Sequence, residues 1–337
     1  MATARDSQTA TLLPDGRILI AGGRMIIEES QTSLVLPLAS AEVYDPKAGT
    51  FSSSGSMATA RYEATAISIS GGRVLIAGGD GTSGPLASAE LFDPNAGAFS
   101  ATGSMTAART GATAAALRDG RVLIAGGSPD GSSALATAET YDPASGSFTA
   151  AGSMSTAREF AAATVLADGR VLIAGGWNGA RALSSAELFD PVTGTFTGTG
   201  SMRSAREFLT ATPLADGRIL IAGGWDGSNA LASAEIYDPA RGTFTVAGSM
   251  AGARIYQTAT ALRDGRVLIA GGEDGPSGSA LASAEAFDPK TALFSAAAPM
   301  AAARIAATAT LLSNGRVLIA GGSGDHGPQA SAESYGA

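Results

Sequence analysis

The residues that could carry chemistry are few, and their kinds exclude more than they offer. His326 is the one histidine and there is no cysteine. Disulfides, thiolate nucleophiles, thiolate metal sites and a zinc or copper centre built on several imidazoles are thereby excluded. A Ser-His-Asp triad could use only His326, which stands in a glycine-rich stretch near the end of the chain and reads as solvent-exposed. Two carboxylates are better placed. Glu159 and Glu207 lie 48 residues apart, each before a phenylalanine, and such a pair could divide the acid and base roles of a hydrolase. No cofactor is expected.

Aromatic residues beside carboxylates suit recognition better than reaction. The only two tryptophans, Trp177 and Trp225, each follow a double glycine and precede a polar residue, Asn178 or Asp226. The same two stretches of chain carry Glu159-Phe160 and Glu207-Phe208, and Tyr62 and Tyr256 fall in the corresponding variable segments. A flat ring beside a carboxylate suits the apolar face and hydroxyls of a sugar, and suits a cationic or aromatic peptide side chain equally well. The alternative reading is that Trp177 and Trp225 cover the base of their loops and that duplication made the two stretches alike.

Arginine occurs in two regular sets. One ends an Ala-Arg pair at Arg5, Arg61, Arg109, Arg158, Arg206, Arg254 and Arg304, and it is matched one-to-one by Glu42, Glu90, Glu139, Glu187, Glu235, Glu285 and Glu333. Strict repetition marks scaffold, because site residues should differ between copies. These pairs are expected to be structural ion pairs. The second set, from Arg17 to Arg316, follows a short turn and is expected to pair with turn aspartates.

These residues are positioned by a repeat. The string Gly-Arg-(Ile/Val)-Leu-Ile-Ala-Gly-Gly begins at Gly16, Gly72, Gly120, Gly169, Gly217, Gly265 and Gly315, with spacings of 56, 48, 49, 48, 48 and 50 residues. The copies run approximately over 1–56, 57–104, 105–153, 154–201, 202–249, 250–299 and 300–337. In the fourth copy, strand A is read over Phe160–Leu166, strand B over Arg170–Ala174, strand C over Ala186–Phe189 and strand D over Thr195–Thr199. Asp168-Gly169 reads as a type I′ turn between A and B, Gly175-Gly176 as a close-packed strand end, and Asp190-Pro191 as the C–D turn. Four antiparallel strands repeated radially make an all-β, seven-bladed propeller, a single domain over 1–337. Strand A carries the smallest residues, as at Ala112–Ala116, and belongs at the narrow hub. Pro213 in that strand needs one unpaired edge.

The double glycine after four apolar residues, followed by spaced aromatics and a Glu-x-Tyr-Asp-Pro segment, resembles the kelch family over essentially the whole chain. That resemblance implies an innermost strand A, an outermost strand D, and peptide or other ligands on the face formed by the D–A and B–C connections. The usual strand D tryptophan is phenylalanine here. Copper radical oxidases of similar build need a cysteine cross-linked to tyrosine and two histidine ligands, which this chain lacks. Sialidase-type propellers carry Asp-box turns, and no Ser-x-Asp-x-Gly-x-x-Trp string is present. The seventh copy ends after strand C, so a three-stranded last blade is expected, or one completed by a strand or domain from elsewhere.

The net charge is −8 with only Lys47 and Lys290 as lysines, a poor match for nucleic acid or an anionic membrane. No apolar run approaches the roughly 20 residues that span a bilayer, and Met1 to Gln8 lack the pattern of a signal peptide. The compartment is left open. The first copy carries an apolar insertion, Arg24 to Leu38, eight residues longer than its counterpart in copy two. It reads as a hairpin folded on its own blade, or as a contact for another domain. The sequence therefore points to a non-catalytic domain that binds a glycan or an extended peptide through Trp177, Trp225, Phe160, Phe208, Tyr256, Tyr62, Glu159, Glu207, Asp226 and Asn178. A purely structural propeller that engages its partner through residues 24–38 is the alternative, and carboxylate-dependent glycoside hydrolysis is the second.

Overall fold

The computed structural model describes residues 1–29, 32–275 and 278–336. Six four-stranded antiparallel sheets in the order A–B–C–D and one three-stranded sheet in the order A–B–C follow one another along the chain. In blade four these strands are Ala162–Val165, Val171–Ala174, Ala186–Asp190 and Thr195–Gly198. In blade seven Thr308–Leu311, Val317–Ala320 and Ala332–Tyr335 form the sheet. Among the described residues no helix is long and apolar enough to cross a membrane.

Strand B is buried on both faces because every blade is packed between two neighbours. Val171 and Ile173 of blade four pack with Leu123 and Ala125 of blade three. Leu172 and Ala174, which point the other way, pack with Ile219 and Ile221 of blade five. The same apolar layer joins Ile18 and Ile20 of blade one to Leu318 and Ala320 of blade seven, so the ring closes hydrophobically. Pro213 pairs only with Ile219 of strand B, and its inner edge needs no donor.

The repeated glycines and arginines form the clasp between blades. The second glycine donates its N–H to the carbonyl of the next blade's arginine, from Gly23 to Arg61 at 2.9 Å around to Gly322 to Arg5 at 2.9 Å. A Cβ on Gly175 would lie 2.4 Å from the Arg206 carbonyl oxygen, so no larger residue fits that approach. Each arginine side chain stays within its own blade. Arg206 Nη1 donates to the carbonyls of Gly223 and Ser233 at 2.8 and 2.9 Å, and Nη2 donates to Glu235 at 3.1 Å. Glu235 also accepts the N–H groups of Arg203 and Ser204. The seven expected Arg–Glu pairs are all present, with arginines almost wholly buried. The second arginine set pairs with turn aspartates in five blades, as Arg170 with Asp168 at 2.6 Å, in partly exposed positions. Arg73 has no turn aspartate, and Arg316 bonds Ser334 instead.

Two expectations are corrected. The A–B turn is not type I′. Leu166 and Arg170 close a three-residue loop in which the Gly169 N–H bonds the Leu166 carbonyl and Gly169 alone has a positive φ, of 93°. Asp168 stays in ordinary backbone space because its Oδ1 accepts the Arg170 N–H at 3.0 Å, giving a turn with a left-handed glycine bulge. The insertion in blade one does pair as a hairpin, Arg24–Glu29 with Thr32–Pro37, but its first strand lies against Gly327–Pro328 of blade seven rather than on its own blade alone. Ile27, Leu34 and Val35 of that hairpin are exposed.

Blade seven has three strands, and the difference shows at its strand C aromatic. In the other six blades the strand C aromatic meets a strand D phenylalanine with ring centroids 4.8 to 5.0 Å apart. Among the described residues Tyr335 has no such partner, and its hydroxyl donates to the Ala298 carbonyl at 2.6 Å.

Candidate functional site

One residue beyond each buried arginine, the chain forms a two-bond bridge with the residue that follows the double glycine. The seven bridges are Asp6–Arg24, Tyr62–Asp80, Thr110–Ser128, Glu159–Trp177, Glu207–Trp225, Ile255–Glu273 and Ile305–Ser323. The next residue of each blade takes a left-handed backbone: Ser7, Glu63, Gly111, Phe160, Phe208, Tyr256 and Ala306, with φ between 51° and 59°. A left-handed turn at a non-glycine residue costs of order 1–3 kcal/mol and persists where the surroundings impose it. Here a chain of backbone bonds running from blade to blade about the axis imposes it. Ser7 donates to Ala306, Glu63 to Ser7, Phe160 to Gly111, Phe208 to Phe160 and Ala306 to Tyr256, at 2.9 to 3.2 Å.

These two tiers occupy the hub on the face of the D–A and B–C connections, and they vary from blade to blade. They contain six carboxylates (Asp6, Glu63, Asp80, Glu159, Glu207 and Glu273) and one cationic side chain, Arg24. Glu159 and Glu207 make no side-chain hydrogen bond among the described residues. Burial pushes both up to about 7, and for Glu159 the charges of Glu63, Glu207 and Asp130 add to the effect. Burial also raises Glu63, against the pull of Arg24 and the Thr110 hydroxyl, and it raises Glu273 beside Asp274. Tyr62 is pushed up to about 12 by burial and by donating to Asp80 at 2.9 Å. The Tyr256 phenol is raised further, by burial first and then by Glu63, Glu273 and Glu207.

The residues singled out in the sequence separate into three groups. Phe160, Phe208 and Tyr256 come together at the hub as a continuous stack of rings tilted by 41° and 40° to one another. The centroids of Phe160 and Phe208 are 4.5 Å apart, and those of Phe208 and Tyr256 are 4.4 Å apart. Gly111 ends the series because a Cβ there would lie 2.7 Å from Phe160 Cε1. Glu159 and Trp177 are direct backbone partners, as are Glu207 and Trp225, so each tryptophan stands beside a carboxylate. Both tryptophans are half-buried and neither belongs to the stack; Trp177 lies near Gly179 of its own loop. Asn178 and Asp226 are turn residues. Each Oδ1 accepts two N–H groups of its own loop at 2.7 to 3.0 Å. Tyr62 stands apart in blade two, under the Arg24 guanidinium at 5.1 Å from the ring centroid.

Sequence reasoning passed over Asp6, Arg24, Glu63 and Glu273, which line a cavity of about 230 Å³ with Ser7, Tyr256 and the apolar Ile26, Ile305 and Ala306. The signal was available. Glu273 follows a double glycine as Trp177 does, and Glu63 holds the position of Phe160.

Comparison with known proteins bears on the repeat and on the fold. A model of the kelch motif matches residues 160–203, 210–251 and 254–301. No curated protein matches the chain. Among solved structures, a fungal alcohol oxidase of the AA5 family in complex with copper is similar in fold, with a TM-score of 0.77 and 18% identity over 95% of this chain and 70% of that one. A copper site does not fit the residues present here. His326 is exposed at the tip of the Ser323–Gly324/Gly327–Pro328 hairpin, there is no cysteine, and no cluster of three or more potential ligands occurs among the described residues. The kelch motif model thus matches three repeats of a chain that folds as a seven-bladed β-propeller.

Proposed function

We propose that this propeller is a non-catalytic recognition domain that binds an extended peptide across the face of the D–A and B–C connections, over blades four to six, with basic side chains meeting the hub. The observation that carries the reading is the pair of carboxylates without a side-chain partner among the described residues, Glu159 and Glu207, each backbone-bridged to a tryptophan in a region with one arginine for six acids. A desolvated carboxylate without a partner is costly, and a lysine or arginine side chain is the partner that relieves it. The rings of Phe160, Phe208 and Tyr256 are occupied with one another, which leaves a sugar fewer free faces to stack on and favours a peptide over a glycan. Hydrolysis is disfavoured for a different reason. An acid–base pair works when its two environments differ, whereas burial raises both Glu159 and Glu207 and each is backbone-bridged to a tryptophan.

The test is intrinsic fluorescence titration with panels of basic, acidic and neutral peptides and of oligosaccharides, since only Trp177 and Trp225 emit as tryptophan. Saturable change with basic peptides, lost in the Glu159→Gln/Glu207→Gln variant, supports the reading. A response to oligosaccharides alone would transfer the face to glycan binding, and silence to both panels would reduce it to scaffold.

A further inference from the structure

The cavity between blades one, two, six and seven lies outside the aromatic stretch of blades four and five and has a composition of its own. Its charges do not cancel. Asp6 is buried and fully engaged: it accepts Arg24 Nε at 2.8 Å, the Ser7 hydroxyl at 2.9 Å and the Ser323 hydroxyl at 2.5 Å. Arg24 is therefore held by Asp6, with its guanidinium carbon over the Tyr62 ring, and offsets Glu63 only in part. Glu63 and Glu273 remain. Glu63 accepts one bond, from the Thr110 hydroxyl at 3.3 Å, and Glu273 accepts none from the described residues. The Tyr256 hydroxyl on the same wall likewise has no protein partner among them. Ile26, Ile305 and Ala306 supply an apolar side.

We propose that this cavity is a pocket for a single alkylammonium or guanidinium group, held by Glu63, Glu273 and the Tyr256 hydroxyl with its methylene stem against Ile26, Ile305 and Ala306. Two carboxylates and a phenol oxygen match the donors of an ammonium or guanidinium group, which carries no acceptor. A volume of about 230 Å³ is below the roughly 300–1,000 Å³ of pockets for drug-sized ligands and suits one extended side chain. The cation can arrive as a lysine or arginine side chain of a bound peptide, which rests on the peptide reading above, or as a free amine, which does not.

Saturation-transfer NMR at low ionic strength decides the matter, with n-butylammonium chloride and Nα-acetyl-lysinamide as probes and Nα-acetyl-norleucinamide as the uncharged control. Both cations should show saturable binding and the norleucine compound none. Glu63→Gln/Glu273→Gln should weaken cation binding at least about ten-fold, the scale of a charged hydrogen bond, whereas Asp168→Asn on the opposite face should leave it unchanged. The double variant should melt no lower than the parent, since it removes two desolvated charges, so lost binding will not be confused with lost fold. Tighter binding of the lysinamide identifies a peptide side chain as the source. Equal or tighter binding of butylammonium, with no response to basic peptides, identifies a free amine and leaves the pocket standing without the peptide reading. Equal binding of the norleucine control, retained affinity in the double variant, or no saturation by either cation would overturn the proposal.

Discussion

Arg158 and Glu159 are neighbours in the chain, and they stand on opposite sides of a division that runs round the whole ring. Arg158 recurs in all seven blades, is buried, and meets two carbonyls, a serine hydroxyl and a glutamate of its own blade. Glu159 recurs once, at Glu207, and its carboxylate meets no protein donor among the described residues. The same contrast holds between Glu187, which accepts two backbone N–H groups and an arginine, and Glu63, which accepts one hydroxyl. Repetition has paired each buried arginine with a glutamate, although the Nε atoms of Arg5, Arg109, Arg158, Arg206 and Arg254 have no partner among the described residues. Where the copies diverge, charge is left over, and leftover buried charge is what a ligand can use.

That contrast makes predictions on both sides. The largest effect is expected in the repeated set. Arg206→Ala leaves Glu235 buried without its cation and should cost roughly 3–5 kcal/mol in urea unfolding, or prevent folding. Gly175→Ala, at φ 67° and against the Arg206 carbonyl, should cost about 2–4 kcal/mol by the same measurement through strain and overpacking.

Titration of the variable set should show the opposite sign. Glu159 and Glu207 have folded-state values of about 7 against an ordinary 4.5, so between those limits the native state holds more protons than the unfolded chain. Stability must then fall as pH rises through that window. Melting temperature should be higher at pH 5 than at pH 8, and Glu159→Gln/Glu207→Gln should shrink the difference. A melting temperature independent of pH in that window would dissolve the distinction between the two sets. The smallest effect belongs to the exposed turn pairs. Asp168→Asn should change unfolding free energy by at most about 1 kcal/mol.

The fold was legible because a propeller is written as many times as it has blades. Seven glycine-arginine strings, a proline allowed only at a hub edge and seven arginine–glutamate correspondences were sufficient to order the strands and assign the ion pairs. The A–B turn was misread because Asp-Gly fits two loop lengths, and the Asp168–Arg170 bond that selects the longer one lies outside dipeptide preference. The hub was legible only as variability. Phe160, Phe208 and Tyr256 were identifiable as unusual residues, but their stacking depends on a left-handed backbone that no sequence preference for phenylalanine or tyrosine would suggest. Asn178 and Asp226 were legible as polar residues after a tryptophan, but the loop-closing bonds that each Oδ1 accepts depend on a turn that the two residues alone do not specify. Asp6, Arg24 and Glu273 come to one cavity only because blades one and seven meet, which the order of the chain conceals.

The most direct test grafts the small residues of blade three into blade four, as Glu159→Thr with Phe160→Gly, matching Thr110-Gly111. Unfolding free energy and fluorescence titration with the basic peptide panel would be measured on the same protein. Loss of the Phe160–Phe208 contact, worth roughly 0.5–1.5 kcal/mol, is offset by relief of the left-handed strain at residue 160. Stability should therefore stay within about 1 kcal/mol of the parent while peptide binding is lost. Unchanged binding, or destabilisation on the scale expected for Arg206→Ala, would contradict the separation of scaffold from site on which the account rests.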